Sequence, residues 1–179
     1  MNKLNIYTED AKLIHSINNN LEIAEALKEV GVDFTQWSAT QVIEKTDSNE
    51  MILKAYNDSI QQLIQQKGYQ TVDVISLSPD HPDKKALREK FLSEHTHSED
   101  EVRFFVKGKG LFTMHIGEKV YSILCEKGDL ISVPANATHW FDMGENPQFT
   151  CIRLFNNPEG WVAKYTGNQI AEKFPCLEL

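Results

Sequence analysis

The sequence predicts one mainly β domain, a β-barrel with helices from the N-terminal half packed on it. Three observations support this fold class. A chain of 179 residues suits a single domain with a sizeable core. Helical patterns are confined to the first 92 residues. From residue 94 onward, short β-rich runs alternate with Gly and Pro turns, which is typical of a sandwich or barrel.

The first third of the chain alternates between strand and helix patterns. "LNIYT" (4–8) and "VDFTQW" (32–37) read as strands. The intervening stretch 20–31 predicts a helix that ends at Gly31. Its apolar residues share one helical face: Ile23, Ala24, Leu27 and Val30.

The longest helix is predicted over residues 47–68. Asp47 and Glu50 have capping-box spacing at its start, and Gly68 ends it. Its apolar stripe consists of Ile52, Ala55, Tyr56, Ile60, Leu63 and Ile64. A strand, "YQTVDVISLS", follows, and then a short helix, "HPDKKALREKFL", with Pro82 near its first turn.

Five β-rich runs make up the remainder: "EVRFFVKGKG", "LFTMHIGEK", "VYSILCEKGD", "LISVPANATHWF" and "FTCIRLF". No repeat or linker interrupts the chain. We therefore expect one domain over 1–179, with a mixed α/β part (1–92), a barrel core (93–165) and a C-terminal tail (166–179).

Composition excludes several classes of partner. Lys and Arg number 18 against 26 Asp and Glu, and the formal net charge is -8. An acidic chain without a basic stripe is not expected to bind nucleic acid, because phosphate binding needs clustered Lys and Arg. No apolar run is long enough to cross a bilayer, so no membrane association is expected.

The cysteines indicate a reducing compartment. Cys125, Cys151 and Cys176 are odd in number and widely spaced, so they form neither a disulfide framework nor a zinc ribbon. The N-terminus has no apolar segment of the kind that secretory signals carry. We therefore expect reduced thiols in a cytoplasmic protein.

Metal-capable side chains are concentrated in the stretch "EHTHSEDEVRFF" (94–105). On a strand, His95 and His97 project to the same side. Glu101 opens the next strand and shares a face with Arg103 and Phe105. A carboxylate and a guanidinium are costly to bury on such a face unless something pairs with them, as a metal ion and an anionic ligand would.

Alone, the H-x-H pair is equally consistent with a solvated hairpin. Two ordered motifs favour the metal site. The first is H-x-H-x3-E-x6-G, met by His95, His97, Glu101 and Gly108. The second is G-x5-P-x4-H, met by Gly128, Pro134 and His139.

These motifs resemble those of the cupin family. The resemblance implies a jelly-roll barrel in which His95, His97, Glu101 and His139 bind one metal ion. The sequence departs from the usual motifs at three positions without removing a ligand. These positions carry Glu89 and Asn136, where cupins usually have glycine, and Met143, where they often have asparagine. Asn136 can also take a left-handed turn conformation.

Three imidazoles and one carboxylate form a mixed nitrogen and oxygen site. Such a site suits iron, nickel, manganese or cobalt, and suits zinc less well. On an octahedral ion, four protein ligands leave two positions open, where a substrate with two neighbouring oxygens could chelate. Open positions indicate Lewis-acid or dioxygen chemistry rather than a structural site.

The runs "KFLSEHTHSEDEVRFFVKGKGLF" and "VPANATHWFDMG" resemble more closely the acireductone dioxygenase family. The resemblance implies a dioxygenase of methionine salvage with one Fe(2+) or Ni(2+) per chain, acting on a small molecule and O2. We expect the protein to be a monomer. The implied substrate is 1,2-dihydroxy-3-keto-5-methylthiopentene. The iron form would give 4-methylthio-2-oxobutanoate and formate; the nickel form would give 3-methylthiopropanoate, formate and CO.

The same resemblance implies roles for five further residues. Arg103 and Arg153 would stabilise the enediolate, and Phe91, Phe141 and Trp161 would line the pocket for the methylthio tail. Simpler interpretations stay open for four of them. Arg103 could be a barrel-edge residue paired with Glu101 or Asp100, and Arg153 could lie on the surface. Phe91 and Trp161 could be core residues.

Other metal-capable residues are expected to lie outside the site. His15, His81 and His115 lack partner spacing. Glu99 shares the parity of His97 and is a rival to Glu101, but a turn at "SED" should point it outward. Cys125 and Cys151 are expected to be buried apolar residues rather than ligands.

Two other functions remain compatible with a cupin barrel. One is a different metal-dependent cupin enzyme, such as an isomerase or an oxidase of a small enediol or keto-acid. The other is a ligand-binding cupin without catalysis. Sensor cupins usually carry a DNA-binding segment, and none of the N-terminal helices here reads as a basic recognition helix. The sequence leaves open whether the C-terminal segment "NQIAEKFPCLEL" covers the site.

Overall fold

The structure, a computed structural model, describes residues 1–178 apart from the side chains at positions 160 and 161. Eleven strands and four α-helices lie within these residues. The strands are β1 Lys3–Thr8, β2 Leu13–Ile17, β3 Asp33–Gln36, β4 Thr71–Leu77, β5 His95–Thr96, β6 Glu101–Ile116, β7 Lys119–Glu126, β8 Asp129–Val133, β9 Thr138–Asp142, β10 Phe149–Phe155 and β11 Lys164–Tyr165. The helices are α1 Asn20–Lys28, α2 Asn49–Ala55, α3 Asn57–Lys67 and α4 Lys84–Leu92. Short 3-10 helices span Pro158–Trp161 and Ile170–Lys173.

Two antiparallel sheets share the long strand β6. One sheet has the order β11-β5-β9-β6-β7-β1-β2, and the other has the order β4-β10-β6-β8-β3. The first half of β6 pairs with β8 and β10, and its second half pairs with β7 and β9. A strand shared in this way joins the two sheets around one interior. The predicted barrel with helices packed on it is confirmed.

The predicted division of β6 into two strands is wrong. The "KGKG" segment does not form a hairpin turn, because the strand continues through it. Gly108 has a φ of +69°, and a Cβ there would lie 1.7 Å from the carbonyl oxygen of Gln148. The glycines therefore mark the bend at which one strand passes from one sheet to the other.

Alternation along β6 separates the barrel interior from the helical layer. Phe105 belongs to the interior cluster, together with Phe112 and Phe141. Val102 and Phe104 belong to a second cluster with the apolar residues of α2 and α3. The predicted strand parity is thus confirmed, and the site residues Glu101 and Arg103 lie on the interior face with Phe105.

The predicted helix over 47–68 is two helices, α2 and α3, divided at Tyr56. Tyr56 leaves the helical conformation (φ -108°, ψ 16°), and its ring packs edge-to-face on Phe104. Its hydroxyl donates to the carbonyl of Gln41. The predicted cap at Asp47 is also wrong, because Ser48 accepts from the Met51 amide as the N-cap. Gly68 ends α3 in a left-handed conformation, as predicted.

The C-terminal segment packs on the outside of the barrel. Ile170 and Phe174 join a cluster with Tyr7 and Trp140. Trp140 alternates with His139 along β9, so its side chain lies on the face opposite the histidine. The tail is therefore fixed to the outer face of this sheet.

Helix α4 is anchored to β9 by an ion pair. Arg88 Nε and Nη2 donate to the two carboxylate oxygens of Asp142 at 2.8 and 3.1 Å. Asp142 also accepts from the backbone amide of Leu177 at 2.7 Å. One buried carboxylate thus holds both α4 and the C-terminal segment.

None of the helices in the described part of the chain is long and apolar enough to cross a membrane.

Candidate metal centre

Three histidines converge inside the barrel. Strand pairing places His95 of β5 opposite His139 of β9, and His97 follows directly after β5. Their candidate ligand atoms all lie within 4.8 Å of one another. All three side chains are buried. Imidazoles gathered so closely can hold a single transition-metal ion.

Backbone carbonyls orient the three imidazole rings. The Nδ1 atom lies 2.7 Å from the Ser93 carbonyl oxygen in His95, 3.2 Å from that of Val162 in His97, and 2.9 Å from that of Ala137 in His139. A carbonyl oxygen can only accept, so each Nδ1 carries the hydrogen. Each Nε2 lone pair is then available, which is the arrangement that metal-ligating histidines adopt.

Glu101 lies beside the histidines with one oxygen committed elsewhere. Its Oε1 accepts from Arg103 Nε at 2.6 Å, whereas Oε2 lies 3.4 Å from the Nε2 atoms of His97 and His139. Among the described residues, these three facing atoms are buried without a hydrogen-bond partner. Buried polar atoms without partners are rare. A cation between them would satisfy all three, so the residues present fit a metal ion.

The electrostatic environment favours the protonation states that a metal needs. Burial, reinforced by His139, lowers the pKa of His95 to about 3, and burial also lowers the pKa of His97. Burial by itself raises the pKa of Glu101, but the charge of Arg103 and the adjacent histidines bring it well below its ordinary value. At neutral pH, His95 and His97 are therefore neutral and Glu101 is ionised.

The loop between β8 and β9 contacts the backbone of His97 through Asn136. Asn136 has a φ of +63°, so it takes the left-handed conformation predicted for it. Its backbone amide donates to the carbonyl of His97 at 2.8 Å. The turn that replaces the usual cupin glycine thus holds the backbone of one of the three histidines.

A cavity of about 420 Å³ opens beside the histidines. His95 and His97 form part of its wall, together with Arg103 and Arg153. Its apolar wall is formed by Ile75, Leu87, Phe91, Val162 and Ala163. A small organic molecule with an anionic end and an apolar end matches this lining.

Arg103 is a buried residue rather than one at the barrel edge. Its side chain is 2% exposed, and its guanidinium carbon lies 5.2 and 5.0 Å from the ring centroids of Phe112 and Phe141. Of the two acids proposed as its partner, Glu101 accepts from it, whereas Asp100 accepts from the backbone amide of Ala135. Its charge therefore lies within the site.

Arg153 lies on the cavity wall and forms a two-bonded pair with Asp73. Its Nε and Nη2 donate to the two carboxylate oxygens at 2.9 and 2.7 Å. Its guanidinium carbon lies 5.7 Å from the ring centroid of Phe155. Arg153 and Arg103 are register partners on adjacent strands, which is why both reach the cavity.

The three predicted tail-pocket aromatics have different placements. Phe91 lines the cavity and packs edge-to-face on Phe141, with 6.2 Å between ring centroids. Phe141 is fully buried and packs against Phe91 and Arg103. The side chain of Trp161 lies outside the described residues.

Some residues that line the cavity were not predicted from the sequence, among them Leu87, Lys90 and Tyr165. Leu87 and Lys90 share the face of α4 that carries Phe91, so the i, i+3, i+4 spacing was a usable signal. Tyr165 gave none, because strand pairing between β11 and β5 brings it to His95.

The remaining metal-capable residues have other partners. His115 contacts Glu94 at 3.2 Å and Glu9 at 2.8 Å, so it is a satisfied strand histidine, as expected. Glu99 accepts from Asn157 at 2.7 Å. Cys125 and Cys151 are buried free thiols, and burial raises the pKa of Cys151 to about 12, which disfavours the thiolate that binds metals.

Comparison with known proteins identifies relatives along nearly the whole chain. The family model for the ARD/ARD' family matches residues 3–163. Acireductone dioxygenase of Aquifex aeolicus (strain VF5) is 54% identical over 178 residues, covering 99% of this chain and 97% of the relative. Acireductone dioxygenase of Pseudomonas fluorescens (strain Pf0-1) is 60% identical over 157 residues, covering 88% and 87% of the two chains.

A solved structure has the same fold. It is an acireductone dioxygenase from Bacillus anthracis with a cadmium ion in its active centre. It superimposes with a TM-score of 0.81 at 32% identity and covers 92% of this chain and 98% of that one. The cupin jelly-roll expected from the sequence motifs is confirmed by this likeness.

Proposed function

Because the chain belongs to the ARD/ARD' family, we propose that it is a metal-dependent dioxygenase that cleaves 1,2-dihydroxy-3-keto-5-methylthiopentene with O2 in methionine salvage. One observation carries this proposal. Three imidazole rings, each fixed through Nδ1 by a backbone carbonyl, present Nε2 toward one another beside a cavity lined by cations and apolar side chains.

We propose that His95, His97, Glu101 and His139 hold one Fe(2+) or Ni(2+) per chain. A transition-metal ion bound there supplies Lewis acidity and redox chemistry toward dioxygen. Its identity sets the products: 4-methylthio-2-oxobutanoate and formate with iron, or 3-methylthiopropanoate, formate and CO with nickel. Because nickel binds such donors more tightly than iron does, the metal supply of the cell decides which ion is loaded.

In this proposal Arg103 and Arg153 stabilise the negative charge of the substrate. The enediol loses protons to become an anion, and a fixed guanidinium stabilises anionic oxygens without giving up a proton of its own. Arg103 also holds Glu101 ionised and oriented through the bond at 2.6 Å. Arg153, held by Asp73, adds a second positive charge on the same wall.

The apolar part of the cavity is proposed to hold the methylthio tail. Phe91 lines it directly, and Phe141 supports Phe91 from behind. A thioether packs favourably against aromatic rings, so this wall orients the substrate with its oxygens toward the histidines. Trp161 is proposed to complete the pocket, as its position in the family motif implies.

We further propose that the enzyme acts as a monomer in the cytoplasm and binds neither nucleic acid nor membranes. The three cysteines are free thiols, which fits a reducing compartment. The division into residues 1–92, 93–165 and 166–179 remains a prediction. Light scattering of the purified protein tests the oligomeric state, and a mass of about 20.5 kDa is expected.

The decisive experiment measures dioxygen uptake and formate with protein that has been stripped of metal and reloaded with ferrous iron. We expect the wild type to consume acireductone and O2 and to release a matching amount of formate. We expect His95→Ala to consume no O2 and to release no formate. His15→Ala is the matched control, because His15 is an exposed histidine on β2 that lies away from the cavity.

Failure of this experiment discriminates among the other functions. If the iron-loaded protein consumes no O2 with this substrate but turns over another enediol or keto-acid, it is a different cupin enzyme. If it binds metal and turns over neither, it is a ligand-binding cupin. Either result contradicts the proposed function.

A further inference from the structure

The cavity has an electrostatic character opposite to that of the whole chain. The chain has a formal net charge of -8. Three cations nevertheless line the cavity, namely Lys90, Arg103 and Arg153, and the described lining residues include no carboxylate. A low-dielectric cleft lined by one sign of charge concentrates ligands of the other sign. The wall is therefore suited to an anion.

Two of the three cations are balanced by a carboxylate. Arg103 binds Glu101, and Arg153 binds both oxygens of Asp73. These pairs fix the guanidinium groups in place, but each pair has a net charge of zero. They contribute directed hydrogen bonding more than long-range attraction.

Lys90 differs from the two arginines in its exposure and in its partners. It lies in the last turn of α4 and is exposed to solvent at the cavity. No carboxylate among the described residues forms an ion pair with it. Leu87 and Phe91, three residues before it and one after, line the same cavity. One helix face therefore offers an unbalanced charge next to the apolar wall.

A lysine at a helix C-terminus is commonly just a solvated residue that complements the helix dipole. Placement distinguishes Lys90 from its neighbours on α4. Lys84 is hydrogen-bonded to Asn146, and Lys85 lies on a part of the helix that does not line the cavity. Of the three lysines in α4, Lys90 alone borders the cavity.

We propose that Lys90 is a substrate-capturing residue that draws the anionic acireductone into the cavity. This inference rests on the proposed function for the identity of the substrate. Lys90 acts in capture, whereas the reacting oxygens lie with the histidines and Arg103. Its contribution is therefore expected in kcat/KM and in anion affinity, and little in kcat.

The test compares Lys90→Gln with Lys90→Arg and with the control Lys85→Gln, which removes the same charge from the same helix. At low ionic strength, Lys90→Gln is expected to lower kcat/KM about fivefold, as Coulomb attraction in a largely aqueous environment predicts. The effect should largely vanish at about 0.5 M salt, where charges beyond a few ångströms are screened. Lys90→Arg and Lys85→Gln should both stay close to wild type.

A second readout does not depend on turnover. The probe 4-nitrocatechol, a chelating enediol analogue, is titrated into the metal-loaded protein and followed by its absorbance. Lys90→Gln should weaken its binding about fivefold with a reduced salt dependence. Equal binding and equal kcat/KM in Lys90→Gln and Lys85→Gln would overturn the proposal for Lys90. Probe binding that depends on Lys90 without turnover of acireductone would instead contradict the proposed function.

Discussion

Arg103 and Glu101 form an ion pair inside the barrel, with 2.6 Å between Nε and Oε1, and the other oxygen of Glu101 faces two histidines. Removing one partner from a buried pair leaves an uncompensated charge. The pair is stable here because Glu101 has positive or polar groups on both sides. We interpret Arg103 as the residue that keeps Glu101 ionised and aimed at the metal.

Replacing Arg103 by lysine is expected to impair the site without unfolding the protein. Lysine keeps the charge but cannot reproduce a planar guanidinium between Glu101 and the rings of Phe112 and Phe141. Loss of such a supporting contact typically costs about 10- to 100-fold in metal affinity or activity. Metal titration and O2 uptake measure both, and wild-type values for Arg103→Lys would show that the guanidinium geometry is not needed.

Metal loading is expected to stabilise the fold. An ion that binds only the folded protein adds about 2.7 kcal/mol at a free concentration of 100 times its dissociation constant. For a chain of this size, that corresponds to a rise in Tm of about 5–10 °C. Differential scanning calorimetry with and without ferrous iron measures the shift. His139→Ala should lose the shift and His81→Ala should keep it; an equal shift in both would place the ion elsewhere.

Stability should depend on pH through Asp142. Burial by itself raises the pKa of Asp142, but hydrogen bonds from Arg88 and from the Leu177 and Gly144 amides lower it below the ordinary value. Ionised Asp142 therefore stabilises the fold above the unfolded pKa of about 3.9, and this contribution is lost as the pH falls through the folded value.

Arg88→Gln is expected to reduce the free energy of unfolding by about 3 kcal/mol at pH 7, because it leaves the buried Asp142 charge without its main partner. The loss should shrink in acid, where Asp142 is protonated. Urea unfolding at pH 7 and in acid measures the loss of unfolding free energy under each condition. Lys45→Gln breaks the exposed pair with Asp80 and should leave stability unchanged. A loss in Arg88→Gln that is independent of pH would contradict this role for Asp142.

Gly108 should tolerate no side chain, because it combines a positive φ with a close approach of backbone. A Cβ would lie 1.7 Å from the Gln148 oxygen, so Gly108→Ala must displace a neighbouring strand. We expect a loss of at least about 3 kcal/mol. Gly68→Ala has a similar φ of +74° in open space and should cost about 1 kcal/mol. Denaturant unfolding measures both losses. Equal losses of unfolding free energy in Gly108→Ala and Gly68→Ala would show that the positive φ alone, and not the close approach of Gln148, determines the cost.

Much of this architecture could be predicted because strand alternation is a local property. The parity of Glu101, Arg103 and Phe105 placed all three on one face of the strand, which the structure shows to be the interior face. The spacing of His95 and His97 placed them on one side. Turn chemistry was less reliable. The glycines at "KGKG" bend a strand instead of ending it, and Tyr56 breaks a helix through a contact with Phe104 that no local pattern reveals.

Contacts between distant segments could not be predicted. His97 is oriented by the Val162 carbonyl, and Arg153 is held by Asp73 on a neighbouring strand. Neither partner carries a motif. The position of Lys90 at the cavity could not be predicted either, because a lysine at a helix end is distinguished from other lysines only when the lining of the cavity is known.

We propose that the three histidines and Glu101 together hold one metal ion. Elemental analysis after anaerobic ferrous loading and desalting tests it most directly. We expect one iron per chain in the wild type and in His81→Ala, and almost none in His97→Ala. Full retention of iron in His97→Ala, with the fold intact by circular dichroism, would contradict it.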